Sequence, residues 1–367
     1  MAPYWSRDFG NAASRTHRYG WRAEAAVELA RERIAAALGA ADPREIVFTS
    51  GATESDNLAL QGVLGPGDHL VTVATEHAAV LDTARALTKR GVCLSVLPVD
   101  GDGRVDPADV AKAIEPRTRL VSVGAANGEI GTLQPLGEIA RVCAERDVLF
   151  HSDAAQAVGK IPLDVEALGI DLLSCSAHKL YGPKGVGALY VRRRRRSGAR
   201  LSLEPMLHGG GQERGLRSGT PPVPLIVGFA EALALALAER EAEASRLAAL
   251  RDRFFALLTS ALPGVQRNGP AEGRLPGNLN VSFAGVEADA LLSQLEDVAL
   301  STGSACSSAR PEPSHVLAAL GLAPERARSA LRIGLGRGTA AADVERAAAR
   351  ITAEVLRSRA EKAALGL

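Results

Sequence analysis

Seven short β-rich runs alternate with helix-patterned stretches between residues 45 and 191, and few architectures accommodate that rhythm. Ile46-Val-Phe-Thr, Leu70-Val-Thr-Val, Cys93-Leu-Ser-Val, Leu120-Val-Ser-Val, Val148-Leu-Phe-His, Leu172-Leu-Ser-Cys and Gly187-Ala-Leu-Tyr-Val read as strands. Between most of them apolar residues recur at helical spacing, as over residues 77–90 and 136–146. The alternation predicts an α/β domain built on a buried, mainly parallel sheet of seven strands. Ligands of open α/β sheets collect outside the carboxyl ends of the strands. Function is therefore sought there.

A long Ala/Leu/Glu/Arg helix is expected over roughly residues 223–261, leading to a smaller domain. That second part shows a strand at Leu279-Asn-Val-Ser-Phe, a helix over 289–295, a strand at Leu331-Arg-Ile-Gly-Leu and a terminal helix from about Ala341. The expected division is a large domain over residues 1–235 and a smaller α+β domain over 236–367. A chain of 367 residues is long enough to bury a core in each.

Composition narrows the function classes. A formal net charge of +1 leaves no global footprint for nucleic acid or an anionic membrane, so neither is an expected partner. No apolar run approaches the roughly 20 residues a membrane span needs. No secretory signal is legible, which makes the cytosol the expected compartment. The arginine run at residues 192–196 reads as a solvated turn after a strand, with a docking patch for an acidic partner as the alternative. The four cysteines are spaced for neither zinc nor a disulfide framework. Cys93, Cys143 and Cys175 sit in apolar periodic context and read as core residues.

Each strand end delivers polar chemistry. Ser50-Gly-Ala-Thr-Glu follows the first strand and precedes a helix, so glycine, free amides and the Thr53 hydroxyl together suit a phosphate. Simple N-capping by Thr53 is the competing reading. His77 follows the second run, Asn127 and the turn Gly128-Glu-Ile-Gly the fourth, and Asp153 with Gln156 the fifth. Ser176, His178 and Lys179 follow the sixth. An amine between a histidine and a glycine-proline turn suits a Schiff-base nucleophile. The set matches one planar, phosphorylated, nitrogen-containing ring. An aspartate can keep a pyridine nitrogen protonated, an imidazole can stack, an amide and a glutamine can meet a phenolic oxygen, and a lysine can bear an imine. Pyridoxal 5'-phosphate needs those parts.

Gly51-Ala-Thr-Glu-Ser-Asp-Asn, Thr75-Glu-His, Asn127-Gly-Glu-Ile-Gly, Asp153-Ala-Ala-Gln, Ser176-Ala-His-Lys, His208-Gly-Gly-Gly-Gln-Glu-Arg-Gly-Leu-Arg-Ser-Gly-Thr and Ser304-Ala-Cys resemble the motifs of the cysteine desulfurases, class V aminotransferases of the pyridoxal-phosphate fold type I. The likeness runs from about Phe9 to Gly338. It implies that Lys179 forms the imine with the cofactor, Asp153 pairs with the pyridinium, and His77 stacks on the ring and assists proton transfer. It further implies that Asn127 and Gln156 address the phenolate side while Thr53, Ser176 and His178 hold the phosphate. Thr220 would reach the phosphate of a neighbouring subunit, making the active unit a homodimer. Arg332, with Asn127, would bind the carboxylate of L-cysteine, in the bidentate geometry a guanidinium favours.

Cys306 lies in a run of small residues, glycine and proline that reads as a loop. An incidental exposed thiol is the bland reading. Beside a pyridoxal site, the resemblance makes it the nucleophile that takes sulfur from cysteine as a persulfide, releasing alanine. The persulfide would then pass to an acceptor protein, an iron-sulfur scaffold or a tRNA-thiolation relay. Two departures stand out. The family's N-terminal strand and Ala-Thr-Thr-Pro turn have no counterpart ahead of Gly10-Asn-Ala-Ala-Ser, so the smaller domain is expected to lack an edge strand, and Gly128 stands where a second asparagine is common. A selenocysteine lyase or another class V aminotransferase would share Lys179 and Asp153. An inactive, partner-binding homologue is the remaining alternative.

Overall fold

The computed structural model describes residues 1–194, 198–303 and 314–364. The chain divides into two compact units. One comprises residues 1–97, 105–126 and 134–240; the other comprises 98–104, 127–133 and 241–367. The helix Val223–Ala261 runs unbroken through the division after Arg240.

The first unit is built on a seven-stranded sheet. Its strands are β1 (Ile46–Thr49), β2 (His69–Val73), β3 (Cys93–Leu97), β4 (Thr118–Ser122), β5 (Leu149–Asp153), β6 (Leu172–Ser176) and β7 (Gly187–Val191). Their order across the sheet is β1-β7-β6-β5-β4-β2-β3. Neighbours pair in parallel from β3 through to β6, and β7 alone runs against both of its neighbours. Every strand but β3 is almost wholly buried, which is why the runs read as continuously apolar. The helices Ala52–Val63 and Ala78–Thr88 cover one face, packing Leu58, Leu60 and Val80 against Leu70, Leu120 and Leu172. The order reverses direction between β4 and β2, so the strand ends open into the crevice such sheets offer to ligands.

Two local expectations change. Arg192 is buried, its Nη1 donating to both carboxylate oxygens of Glu166 at 2.8 Å and its Nε lying 3.2 Å from Asp171. It anchors β7 to the turn after residue 164 instead of entering solvent; Arg195 and Arg196 lie outside the described residues. Cys143 and Cys175 are buried as expected, whereas Cys93 is half-buried because β3 is the sheet edge.

The second unit holds a three-stranded antiparallel sheet of β8 (Val265–Arg267), β9 (Asn278–Phe283) and β10 (Ala330–Gly334), in the order β10-β9-β8. Along β9, Leu279, Val281 and Phe283 face a core with Leu331, Ile333, Phe254, Leu258, Ile351 and Val355. Asn278, Asn280 and Ser282 take the other face. The terminal helix Ala341–Ala364 supplies Ile351 and Val355. No described helix is long and apolar enough to cross a membrane.

Candidate active site

At the carboxyl end of β1 the backbone turns at Gly51, whose φ of 155° is open to glycine alone. Packing excludes a side chain at the neighbouring Gly187 of β7, where a Cβ would come within 2.7 Å of the Gly51 Cα. Gly51, not Thr53, is the N-cap of helix Ala52–Val63, and no side chain caps it. Thr53 stands exposed one position inside the helix, so its hydroxyl is not spent on capping. The first turn of this helix has amides with no intrahelical acceptor and carries the positive end of the dipole.

Beside this turn lies the end of β6. A Cβ on Gly51 would be 3.6 Å from the Ser176 hydroxyl, which itself lies 2.8 Å from Nδ1 of His178. Burial, then the charges of Lys179, Lys184 and Lys160, hold the His178 imidazole below its ordinary range, so it is neutral at pH 7. Hydroxyls, imidazole, helix amides and lysines thus gather on one corner, and the carboxylate of the helix's first turn, Glu54, is taken up by Arg217 Nε at 2.9 Å and the Ser50 N–H at 2.8 Å. That donor set fits a phosphate.

The ends of β2, β5 and β6 supply the rest. His77 caps helix Ala78–Thr88 by accepting the Ala79 N–H at Nδ1, 3.1 Å away, which leaves the ring proton on Nε2. Asp153 closes β5 and accepts the Ala155 N–H at 2.9 Å. Burial raises its carboxyl above the usual range, while the Ala155 amide and then the charges of His77 and Lys179 pull it back. A carboxylate enclosed near an imidazole and an amine fits a ring that presents a positive nitrogen. Lys179 sits exposed in the short 3-10 turn Ala177–Leu180, which ends at Tyr181 in the left-handed region with φ 66°. Gln156 is half-buried in the turn after β5 and accepts at Oε1 from Lys160 Nζ, 3.0 Å away.

Thr220 ends a loop with unusual backbone. Glu213 and Arg214 both adopt positive φ, 49° and 58°. The loop is pinned because Glu213 is buried, taking Arg31 Nη1 at 2.7 Å, Nη2 at 2.8 Å and the Phe48 N–H at 2.9 Å. Thr220 itself is exposed.

The structure therefore brings Thr53, His77, Asp153, Gln156, Ser176, His178 and Lys179 to the strand ends of the first unit. Asn127 and Arg332 belong to the second unit. There Asn127 Oδ1 accepts the N–H groups of Glu129 and Ile130 at 2.8 and 3.0 Å, shaping its own turn. Arg332 lies on β10, half-buried, with its backbone bridged to Ser301. Cys306 lies outside the described residues.

Residues the sequence reading missed sit behind Asp153. Asp56, on helix Ala52–Val63, is wholly buried, and among the described residues neither of its carboxyl oxygens has a hydrogen-bond partner, its Oδ1 being 3.6 Å from His151 Nε2. Burial first, then the Asp153 charge, drives its carboxyl well above the ordinary range. Glu76 is buried too, accepts the Gly124 N–H at 2.6 Å, and is pushed by burial to about 8. A signal existed: a charged residue on the sheet-facing stripe of a helix demands an explanation.

The chain is similar to known proteins over most of its length. The family model for class V aminotransferases matches residues 1–347. A mitosomal cysteine desulfurase of Encephalitozoon cuniculi is 52% identical over 94% of this chain and 80% of its own length. The cysteine desulfurase IscS of Anaeromyxobacter dehalogenans is 53% identical over 94% of this chain and 85% of its own. A solved structure of SspA in complex with cysteine superposes with a TM-score of 0.78 at 39% identity, covering 91% of this chain and 92% of that one. With the fold, the strand-end constellation and these likenesses in agreement, the chain belongs to the class V aminotransferase family of pyridoxal-phosphate enzymes, in its cysteine desulfurase branch.

Proposed function

We propose that this chain converts L-cysteine to L-alanine and transfers the sulfur to Cys306 as a persulfide. The observation that carries this reading is the grouping of Asp153 with His77 and Lys179 at the ends of three strands. Pyridoxal phosphate, when bound, supplies the electron sink that makes the bonds at the substrate's α and β carbons labile. The Lys179 Nζ is the amine that anchors the cofactor and, once released, a base able to move the α-proton. Asp153 holds a proton on the ring nitrogen, and a positive nitrogen opposite favours its ionised form. His77, with a proton on Nε2 and its Nδ1 tied to Ala79, offers a hydrogen and a flat face to the ring. Gln156 and Asn127 address the phenolate side. Thr53, Ser176 and His178 hold the phosphate against the helix N-terminus. Arg332, with Asn127, binds the substrate carboxylate.

The sulfur balance is simple. The Cys306 thiolate attacks the substrate sulfur, the C–S bond breaks, the sulfur leaves as Cys306–S–SH, and the carbon left behind is protonated to the methyl of alanine. The persulfide then goes to an acceptor protein for iron-sulfur assembly or tRNA thiolation, in the cytosol. The active unit is a homodimer, with Thr220 reaching the partner's phosphate. The exposure of Trp5, Phe9 and Trp21, at 63%, 67% and 54%, supports this reading, since a partner subunit would cover apolar surface of that kind.

The test is incubation of cofactor-loaded protein with L-cysteine, measuring alanine and persulfide on Cys306 together. Equal amounts are expected in a single turnover. C306S should keep the visible cofactor band and lose sulfur transfer. Turnover retained in C306S would remove Cys306 from the reaction, and keto acid in place of alanine would make the chain an aminotransferase.

A further inference from the structure

We propose that Lys160 is a positioning residue for the cofactor, fixing the amide of Gln156 so that its NH2 group faces the phenolic oxygen. The inference rests on the pyridoxal-phosphate reading above and adds a residue to it. A glutamine amide offers an acceptor and a donor that are nearly the same shape, and a phenolate oxygen needs the donor. Something must therefore choose between the two orientations. Lys160 Nζ lies 3.0 Å from Gln156 Oε1, and an ammonium can only donate. It holds the carbonyl end, and the NH2 end is left pointing away. Among the described residues no protein acceptor takes that Nε2.

The turn that carries both residues leaves little freedom. Ala157 and Val158 donate to the Ala154 carbonyl, and Lys160 and Ile161 donate to the Ala157 carbonyl. Gly159 bends the chain at φ 77°, and a side chain there would come within 3.0 Å of Ala236 Cβ. Lys160 is half-buried and has no carboxylate partner among the described residues. A surface ion pair does not account for its place. Burial, and to a lesser degree the Lys179 charge, pulls its ammonium down to about 8, so it still carries its proton at pH 7 and stays a donor.

The prediction concerns the visible spectrum, independently of turnover. The absorbing group of the loaded enzyme loses a proton as pH rises, and two things make that loss easier: a nearby cation and a donor on the phenolic oxygen. K160M removes both. Its spectral midpoint should rise by about half a unit to one unit, a three- to tenfold change in proton affinity. K160R keeps a charged donor and should stay close to the wild-type midpoint. An unchanged midpoint in K160M overturns the proposal, and so does a K160R shift as large as that of K160M, which would signal packing alone. If K160M does not fold, K160A is read with the same two outcomes. A wild-type chain with no Lys179-dependent visible band would sink the pyridoxal reading itself and this inference with it. Failure of the Lys160 role alone leaves that band intact.

Discussion

In the second unit, β9 buries Asn278, Asn280 and Ser282 on one face, and each is answered. Asn268 Nδ2 donates to Asn280 Oδ1 and to Ser282 Oγ, both at 2.8 Å, while Arg326 Nε donates to Asn268 Oδ1 at 3.0 Å. Asn278 and Asn280 donate to the Gly128 and Glu129 carbonyls. The first unit also buries polar groups against its sheet, but its set is incomplete. His151 bridges Ser122 and Ser174 at 2.8 and 3.0 Å, yet both Asp56 oxygens and the Ser152 hydroxyl find no partner among the described residues. A finished network contributes stability and fixes register, whereas an unfinished one costs stability and calls for another reason. Here the unfinished groups flank Asp153. We read them as electrostatic background for the site: burial pushes the His151 imidazole down to about 3, and burial together with the Asp153 charge holds the Asp56 carboxyl well above the ordinary carboxylate range.

The largest effect that would break this contrast is in pH dependence. Glu76 belongs to the same acid cluster, and its folded value of about 8 lies above the ordinary 4.5. Between those values the folded chain holds a proton that the unfolded chain has released. Stability must therefore fall as pH rises through the window, by about 3 kcal/mol from pH 5 to pH 8. E76Q cannot ionise but keeps an acceptor for the Gly124 N–H. Denaturant midpoints at pH 5 and pH 8 should converge in E76Q relative to wild type. Equal slopes in the two proteins would mean that Glu76 is not a buried acid at all.

A smaller effect sharpens the other side. N280A removes the acceptor of Asn268 and one donor to the Glu129 carbonyl, in a strand position with no exposure. Stranding buried partners costs about 2 kcal/mol. A urea midpoint that moves by less than a quarter of that would show the second network to be as loosely held as the first.

How much of this was legible beforehand follows the physics of each signal. Six of the large-sheet strands are readable because burial on both faces leaves nearly uninterrupted apolar runs, and the edge strand β3 because Cys93-Leu-Ser-Val is still a short β-rich run. β8 was missed because Val265–Arg267 is three residues long and only half-buried. Thr53, His77, Asp153, Gln156 and Lys179 were readable because strand ends are fixed by the same apolar runs. Segments 98–104 and 127–133 joining the second unit were not, since such membership depends on long-range contacts with no local period. The Asp56–His151 layer was hidden for a similar reason. His151 lies inside a strand run and Asp56 inside a motif already assigned to phosphate binding, and only tertiary packing makes them neighbours.

The smallest effect is also the most direct comparison of the two networks, because it makes the same kind of truncation at the same kind of position. Ser152 lies on β5, wholly buried like Asn280, but on the opposite face of its strand from His151 and Asp153, with a hydroxyl that bonds to nothing. Its desolvation is suffered without compensation. Replacing it by alanine deletes the hydroxyl and strands no partner, so the ordinary penalty for losing a hydrogen bond does not arise. S152A should be neutral or more stable by up to about 1 kcal/mol, read as an unchanged or slightly higher urea midpoint with an unchanged slope. A loss of that size instead would show that the hydroxyl serves a partner, and the contrast with the second network would then rest on the Asp56 oxygens alone.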